Sequence, residues 1–459
     1  MSIPGLAPMS SALRPLAGAL VLAFGAVGAQ AQSLSEVVQA ARSVDATYLG
    51  ARSSADAAHY RYEQARSAHL PTAGLQVQAA HNDSNSPQLG VTASGPTAIK
   101  ETVKTNSLGA SLTAQQNIFN RANDISIDQA QKNEEIAQSQ LVQADQDLIV
   151  RVAQAYFDVL AAADALTALQ GNTKAIGEQL ASAKRNFEVG NATITDTREA
   201  EARADLAHAK ELAAENNLLV AKVKLDQLVG RNGVTPHPLI LPAVLPPVVP
   251  SRDSDWVALA ESDSQALRQA RLGLEVAELA TSKAKAGHLP TLVANANYGR
   301  TRQREAIDDV GAFTGNSRNG GVSVTLNVPI FSGFLIQNQV NEASALERKA
   351  RTDAEGAENT VVLGTRTAFV NAQSQAAQVK ALEASEASSK LALDATILGY
   401  KVGVKVNLDV LNAQSQLYQT QSDAAAARYN YLLAQLKLRQ AAGNLSNNDL
   451  LPIDALLAK

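Results

Sequence analysis

Apolar residues along this chain follow two periodicities, and the two appear in a fixed order. Leu141, Leu148, Ala155, Ala162, Leu169, Ile176 and Ala183 recur every seven residues, and Val152, Val159, Leu166, Leu180 and Phe187 sit four after members of that set. This is a coiled-coil seam. It predicts one helix over about Arg121 to Arg185, a stretch free of proline whose only glycines, Gly171 and Gly177, fall late. At ~1.5 Å per residue it reaches about 100 Å. A second stretch, about Phe334 to Leu398, is as long, but Gln, Ser and Thr dilute its seam.

Before each long helix the period changes to two. Leu75, Val77 and Ala79 alternate with Gln76 and Gln78, and Leu108, Ala110, Leu112 and Ala114 with Gly109, Ser111, Thr113 and Gln115. Later, Leu292, Ala294, Ala296 and Tyr298 alternate with Asn295 and Asn297, and Val322, Val324, Leu326 and Val328 with Ser323, Thr325 and Asn327. Strict alternation predicts strands with one apolar and one polar face. A polar, Gly/Ser/Asn-rich loop is expected inside each pair, between His81 and Ser107 and between Arg300 and Gly320. Hairpins of this kind suit a barrel with lipid outside and water inside. Ahead of each hairpin a helix is expected, over Leu34 to His69 and over Asp255 to His288. Each ends at His-Leu-Pro-Thr, because the residue before proline is pushed out of the helical region.

The recurrence is a tandem duplication. QARSAHLPTAGLQVQA, from Gln64, answers KAKAGHLPTLVANANY, from Lys283; Ile118-Phe119 answers Ile330-Phe331; Phe157 answers Phe369; and Gly230 answers Gly443. The sequence therefore divides into a first repeat (32–233), a proline-rich linker (234–250), a second repeat (251–445) and a carboxy-terminal tail (446–459). The linker's six prolines forbid helix and central strand. Each long helix stops at a glycine, Gly190 or Gly403, a residue that takes the left-handed conformation cheaply. A returning helix is expected from about Asp196 or Asp409.

Composition narrows the class. Aromatics are only 4% of the 459 residues, which argues for thin layers of closely spaced helices. Net charge is −4 with both signs dispersed, so no basic stripe points to nucleic acid. There is no cysteine, which removes disulfides and thiolate chemistry. Residues 1–31 read as a signal peptide: Arg14, an apolar run from Leu16 to Val27, then Ala29-Gln30-Ala31. That run is too short to span a bilayer, and no other stretch approaches the length of a transmembrane helix, so a membrane-spanning reading must use strands. Four strands cannot close a barrel, and open edges are not tolerated in lipid. A dimer would supply eight strands and a trimer twelve; an eight-stranded barrel is filled by its own side chains, so a conducting duct favours the trimer.

No phosphate loop, HExxH or nucleophile elbow occurs. His69 and His288 share the helix-to-strand corner. The acid pairs Glu134-Glu135 and Asp308-Asp309 read as solvated. An enzyme is disfavoured and no cofactor or metal is indicated. The rival to a duct is a soluble periplasmic coiled-coil adaptor or scaffold, which would have no need of lipid-facing strands.

GYKVGVKVNLDVLNAQSQLY (Gly399 to Tyr418), ARYNYLLAQLKLRQAAGNLSNNDLL (Ala427 to Leu451) and NFEVGNATITDTREAEARAD (Asn186 to Asp205) together resemble the TolC family of outer-membrane efflux and secretion channels. The resemblance covers essentially the whole mature chain. It implies a mainly α fold with a β-barrel part: a homotrimer with a 12-stranded barrel in outer-membrane lipid and a long α-helical barrel in the periplasm. It also implies a passive channel fed by an inner-membrane ABC or proton-driven pump through a periplasmic adaptor (membrane fusion) protein, for type I protein secretion or multidrug efflux. The channel would open by iris-like movement of the helix tips. Thr195, Asp196, Tyr400 and Lys405 match positions that hold the closed tip. Asp409 matches an acidic entrance ring whose second acidic position is occupied here by Asn412. Lysine at 405, where arginine is frequent, keeps the charge but loses the bidentate fork. Asp196, with Glu199 three residues on, also reads as a capping box.

Overall fold

A computed structural model describes residues 32–92, 95–307 and 311–458; the signal-peptide reading and the Asp308-Asp309 pair lie outside the described residues. The chain begins with α1 (Leu34–Ala41) and α2 (Ala46–Arg66), then β1 (Thr72–Thr92) and β2 (Gly95–Phe119). The long α3 (Arg121–Glu188) and returning α4 (Ile194–Val229) come next. The same order recurs in α5 (Asp253–Asp263), α6 (Gln265–Ala286), β3 (Thr291–Ile307), β4 (Gly311–Asn327), α7 (Leu335–Lys401) and α8 (Asn407–Ala441), with a short α9 (Leu451–Asp454) in the tail.

The sheet has the order β1-β2-β3-β4, all antiparallel, with β1 and β4 as open edges. Leu75 faces Leu112, Leu112 faces Tyr298, Ala296 faces Val322 and Leu292 faces Leu326. Directly opposed residues share a face, so the apolar positions of all four strands line one side. They are open to the surroundings: Leu75 is 73% exposed and Val322 82%.

The helices form a layer. The half of α3 nearer the sheet lies between α2 and α6, and the other half between α4 and α8; α7 flanks α6 and then α8. The main core sits at mid-length, where Leu148, Val152, Tyr156 and Phe157 of α3 pack with Leu34 and Val38 of α1, Leu225 and Val229 of α4, Leu432 and Leu436 of α8, and Ile453 and Leu457 of the tail. The proline-rich segment straps this waist. Ile240 N–H donates to the Leu456 carbonyl at 2.9 Å, Ala458 N–H to that of Pro238 at 2.7 Å, and the Tyr431 hydroxyl to that of Pro246 at 2.6 Å.

Four expectations are corrected. The first helix of each half is broken. Asp45 caps a fresh start by accepting from Tyr48 N–H at 2.8 Å, and Ser264, at φ −60° and ψ 121°, caps α6 through Leu267 N–H. A short polar side chain that satisfies the first orphan N–H groups makes such a restart inexpensive. Second, the polar hairpin loops are strand: pairing runs from Thr72↔Gln115 out to Thr92↔Gly95, and from Thr291↔Asn327 to Ile307↔Gly311. The backbone ladder there continues without an apolar face. Third, the long helices run a little further, to Glu188 and Lys401. Fourth, α3 does contain a stretch long and apolar enough to cross a membrane; 44% of that stretch is buried within the fold, as a core segment should be.

Candidate functional site

The ends of α3 and α7 farthest from the sheet carry the residues that the sequence singled out, on two turns built alike. Gly190 has φ 78° and Gly403 φ 79°. Gly190 N–H donates to the Phe187 carbonyl at 3.0 Å and Asn191 N–H to that of Asn186 at 2.7 Å; Gly403 and Val404 repeat this on Tyr400 and Gly399 at 3.1 and 2.9 Å. These bonds satisfy orphan carbonyls at the helix ends. A side chain at either glycine would strain the turn.

The starts of the returning helices differ. α4 begins at Ile194, capped by Thr193. The Thr193 hydroxyl accepts from Asp196 N–H at 3.1 Å, while one Asp196 carboxylate oxygen accepts from Thr193 N–H at 3.0 Å and its hydroxyl at 2.8 Å. The capping box is therefore Thr193 with Asp196, not Asp196 with Glu199, because the helix opens earlier than its acidic residue suggests. α8 begins at Asn407 with Val406 at the cap position, where no side-chain oxygen is available. Asp409 accepts from Val406 N–H at 3.4 Å and pairs with Lys405 at 3.5 Å. Both carboxylates also lie where the positive end of a helix dipole favours them.

Within one chain, then, Lys405 is engaged by Asp409 and Asp196 by Thr193. Thr195 is exposed at the mouth of its turn, and Tyr400 is partly buried. Asn412 is exposed and accepts from Arg203 of α4 at 3.1 Å, tying the two returning helices together.

A feature missed from sequence lies just inside the turns. Asn172, Thr197, Asn407 and Gln414 are buried between α3, α4 and α8. One polar atom of each, and the Thr173 hydroxyl, has no hydrogen-bond partner among the described residues. Gln179 donates to the Asn407 side-chain oxygen. Around this seam the apolar packing is thin: Ile176 and Ala183 meet Ala200, Ala207 and Leu411. A signal was present, since Thr173 stands four after Leu169, where the second apolar series skips a beat. An unpartnered buried polar group costs roughly 1–3 kcal/mol, so this end of the layer is held together weakly.

Residues 29–231 and 256–444 match the family described as outer membrane efflux protein. The chain is 31% identical over 427 residues to the outer membrane protein TolC of Vibrio cholerae, covering 93% of this chain and 94% of that one. It is 30% identical over 313 residues to the alkaline protease secretion protein AprF of Pseudomonas aeruginosa, covering 66% and 63%. The crystal structure of the outer membrane protein VceC of Vibrio cholerae superposes with a TM-score of 0.72 at 18% identity, covering 89% of this chain and 96% of that one.

Proposed function

The chain belongs to the family of outer membrane efflux proteins and is an outer-membrane channel for export, and from that premise we propose that three copies close it into a continuous duct gated at the helix tips. The observation that carries this is the pair of open edges. One copy leaves β1 and β4 without a partner strand, and unpaired strand edges are not tolerated in lipid. The helical layer is unfinished in the same sense: Leu212 and Leu219 of α4, and Leu363 and Leu391 of α7, are exposed on its flanks. Joining β4 to β1 and α7 to the α2/α4 flank of the next copy satisfies both layers at once. Three copies give a twelve-stranded barrel, wide enough to conduct, whereas eight strands are filled by side chains. A soluble adaptor has no use for a sheet face of exposed Leu75, Val77, Leu112 and Val322, so that reading is set aside.

In this reading the energy source lies outside this chain, in an inner-membrane ABC or proton-driven pump reached through a periplasmic adaptor; the similarity to outer membrane protein TolC and to a secretion protein supports it. Cargo is delivered to the duct; the similarity to a protease secretion protein favours protein export, alone or beside small-molecule efflux. At the tips, threefold copies of Asp409 form the entrance ring, with Asn412 replacing a second carboxylate, so cation preference is moderate. Lys405, Thr195, Asp196 and Tyr400 contribute to the closed arrangement, and Gly190 and Gly403 shape the turns. The polar seam lowers the cost of splaying the tips apart.

Planar-bilayer recording on the purified trimer tests the gate. Asp409→Ala should reduce cation selectivity, and Lys405→Ala should raise conductance by freeing the turn. Unchanged selectivity together with unchanged conductance sinks the assignment of these residues to the entrance. Cross-linking that yields no species larger than two copies sinks the trimer.

A further inference from the structure

The apolar face of the sheet ends abruptly and gives way to basic residues. On β3 the face reads Leu292, Ala294, Ala296, Tyr298 and then Arg300, Arg302, Arg304. On β4 it reads Leu326, Val324, Val322, Gly320 and then Arg318. In the first hairpin the apolar positions end at Ala79 and Leu108, and His81, Asn106 and Lys104 come next. The register places these on the same face: Arg300 opposes Ala110 and Arg318, Arg302 opposes Leu108, and Arg304 opposes Asn106, which opposes His81. The change occurs two residues further along the first hairpin than along β3. That is the offset expected of strands tilted to the membrane plane, since a tilted strand of about 9–11 residues spans the hydrocarbon.

Arginine is costly here unless something anionic meets it. Arg300 and Arg318 stand directly opposite each other, and like charges in that relation destabilise a sheet. All four arginines have their side chains exposed, and none makes an ion pair or side-chain hydrogen bond among the described residues. Among the described residues, the one carboxylate in these rows is Asp83, which already opposes Lys104. Between the strands lies a shallow depression of about 530 Å³ lined by His81, Asn106, Leu108, Arg302 and Arg304, so donors and an apolar floor converge. Asn106 Oδ1 and His81 Nδ1 are 2.7 Å apart within it.

We propose that this belt binds the phosphate groups of lipid in the outer leaflet, with acyl chains against Leu108, Leu112 and Tyr298 and phosphates against Arg300, Arg302, Arg304 and Arg318. The proposal rests on the placement of the sheet in the outer membrane. The end of the sheet away from the helices is the outward end, because the helical layer occupies the periplasm. The outer leaflet is rich in phosphorylated glycolipid, lipopolysaccharide. Guanidinium groups match phosphate oxygens bidentately, and a tyrosine at the boundary suits the membrane interface. From Arg300 to Arg304 the strand rises about 13 Å, which spreads the donors over the depth of a headgroup layer. Bound phosphates would also relieve the Arg300–Arg318 repulsion, so the lipid would stabilise the open-edged hairpins that three copies must join.

The test uses the purified wild-type trimer in detergent. Thermal unfolding and native mass spectrometry are followed with lipid A carrying both phosphates, with the same lipid after dephosphorylation, with phosphatidylcholine, and with inorganic phosphate. Bisphosphorylated lipid A should remain bound in the mass spectrum and raise the unfolding midpoint, and the other three should not. The variant R300S/R302S/R304S/R318S should bind it at least about tenfold more weakly, because four guanidinium groups that attract an anionic headgroup are removed. Lysine at the same four positions should restore part of the binding. An equal response to phosphorylated and dephosphorylated lipid overturns the proposal, even if the serine variant does not assemble. So does an equal response of wild type and serine variant, or saturation by inorganic phosphate alone. Channel formation by the wild type in planar bilayers, recorded on the same preparation, separates failure of the belt from failure of the outer-membrane reading.

Discussion

Two segments of α3, a few turns apart on one helix and one heptad pattern, are packed in opposite ways. From Leu148 to Leu160 most of the helix surface is buried against aliphatic and aromatic side chains, with Arg151, Gln154 and Asp158 on its more open side, and Phe157 stacks on Tyr429 with ring centroids 5.9 Å apart. From Asn172 to Ala183 it meets alanines on α4 and polar groups on α8, several of them unpartnered. The waist buries large apolar area and the strap of proline-rich chain and tail encloses it. The tip buries little apolar area and leaves hydrogen-bonding capacity unused. A helix rooted in a dense waist and loosely attached at its end can bend or swing as a lever without unfolding. Local stability that varies along one element in this manner is what a moving part requires.

The largest expected effect breaks the strong side of this contrast. Phe157 is 2% exposed, and Phe157→Ala should destabilise the fold by about 3–5 kcal/mol through the lost transfer energy and the cavity left behind. Leu180→Ala, at a half-buried position in the tip seam, should cost about 1 kcal/mol. Thermal unfolding of the two variants measures the difference. If Leu180→Ala proved as damaging as Phe157→Ala, the tip would be a second core and the lever reading would fail.

A polar-to-apolar change tests the weak side. Asn172 is buried with its side-chain oxygen unpartnered. Asn172→Leu should therefore stabilise the protein, by up to the roughly 1–3 kcal/mol that an unsatisfied group costs. It should also lower the open probability in planar-bilayer recordings, because tightening the seam resists splaying. A destabilised variant, or one that opens more readily, would mean that the polar group is satisfied in the assembled channel.

The waist should also be the acid-sensitive region. Two Arg151 guanidinium nitrogens donate to Asp45 at 2.9 and 3.0 Å, and that hydrogen bonding, the largest influence, holds the Asp45 carboxyl below its ordinary range despite burial. A depressed carboxyl contributes stability that is present above its unfolded pKa and is lost as pH falls through its lower folded value. Asp164 runs the other way. Burial raises it, against the hydrogen bond it accepts from Tyr429 at 2.7 Å, so its contribution is present below the unfolded pKa and is lost as pH rises through the raised one. Arg151→Gln should remove about 1 kcal/mol, a modest figure because Arg151 is partly exposed. It should also flatten the acid limb of the stability profile. An unchanged acid limb would show that Asp45 matters only as the cap of α2.

Much of this arrangement was legible in the residues. The heptads from Leu141 to Ala183 set α3, and the alternation from Leu75 to Ala79 and from Val322 to Val328 set the strands, because burial or lipid on one face imposes a period. Where no face is apolar the pattern falls silent. The outer reaches of both hairpins, from His81 and from Arg300 onward, continue the backbone ladder without an alternating apolar face, and a ladder by itself leaves no period in the side chains. The break at Asp45 was hidden because a cap inside a helical stretch looks like any surface aspartate. At the tips, the glycines and acidic residues stood out, but the seam of Asn172, Thr197, Asn407 and Gln414 did not. Polar residues at core positions are recognised only once the facing helices are known.

The smallest expected effect sharpens the comparison between the two turns of the tip itself. They share a glycine of nearly equal φ and an acidic residue in the first turn of the returning helix, yet only the first has a capping hydroxyl. Thr193→Val should cost α4 about 1 kcal/mol, and Val406→Thr should give α8 a cap of similar or smaller worth. The consequence for conduction depends on which turn gives way first. If the uncapped start of α8 is where the tip frays, Val406→Thr should lengthen closed intervals in single-channel records while Thr193→Val leaves them nearly unchanged. The reverse result would put the moving turn in the first half of the chain. In that case Lys405 and Asp409, paired at 3.5 Å beside Val406, would belong to the fixed wall of the entrance and not to its gate.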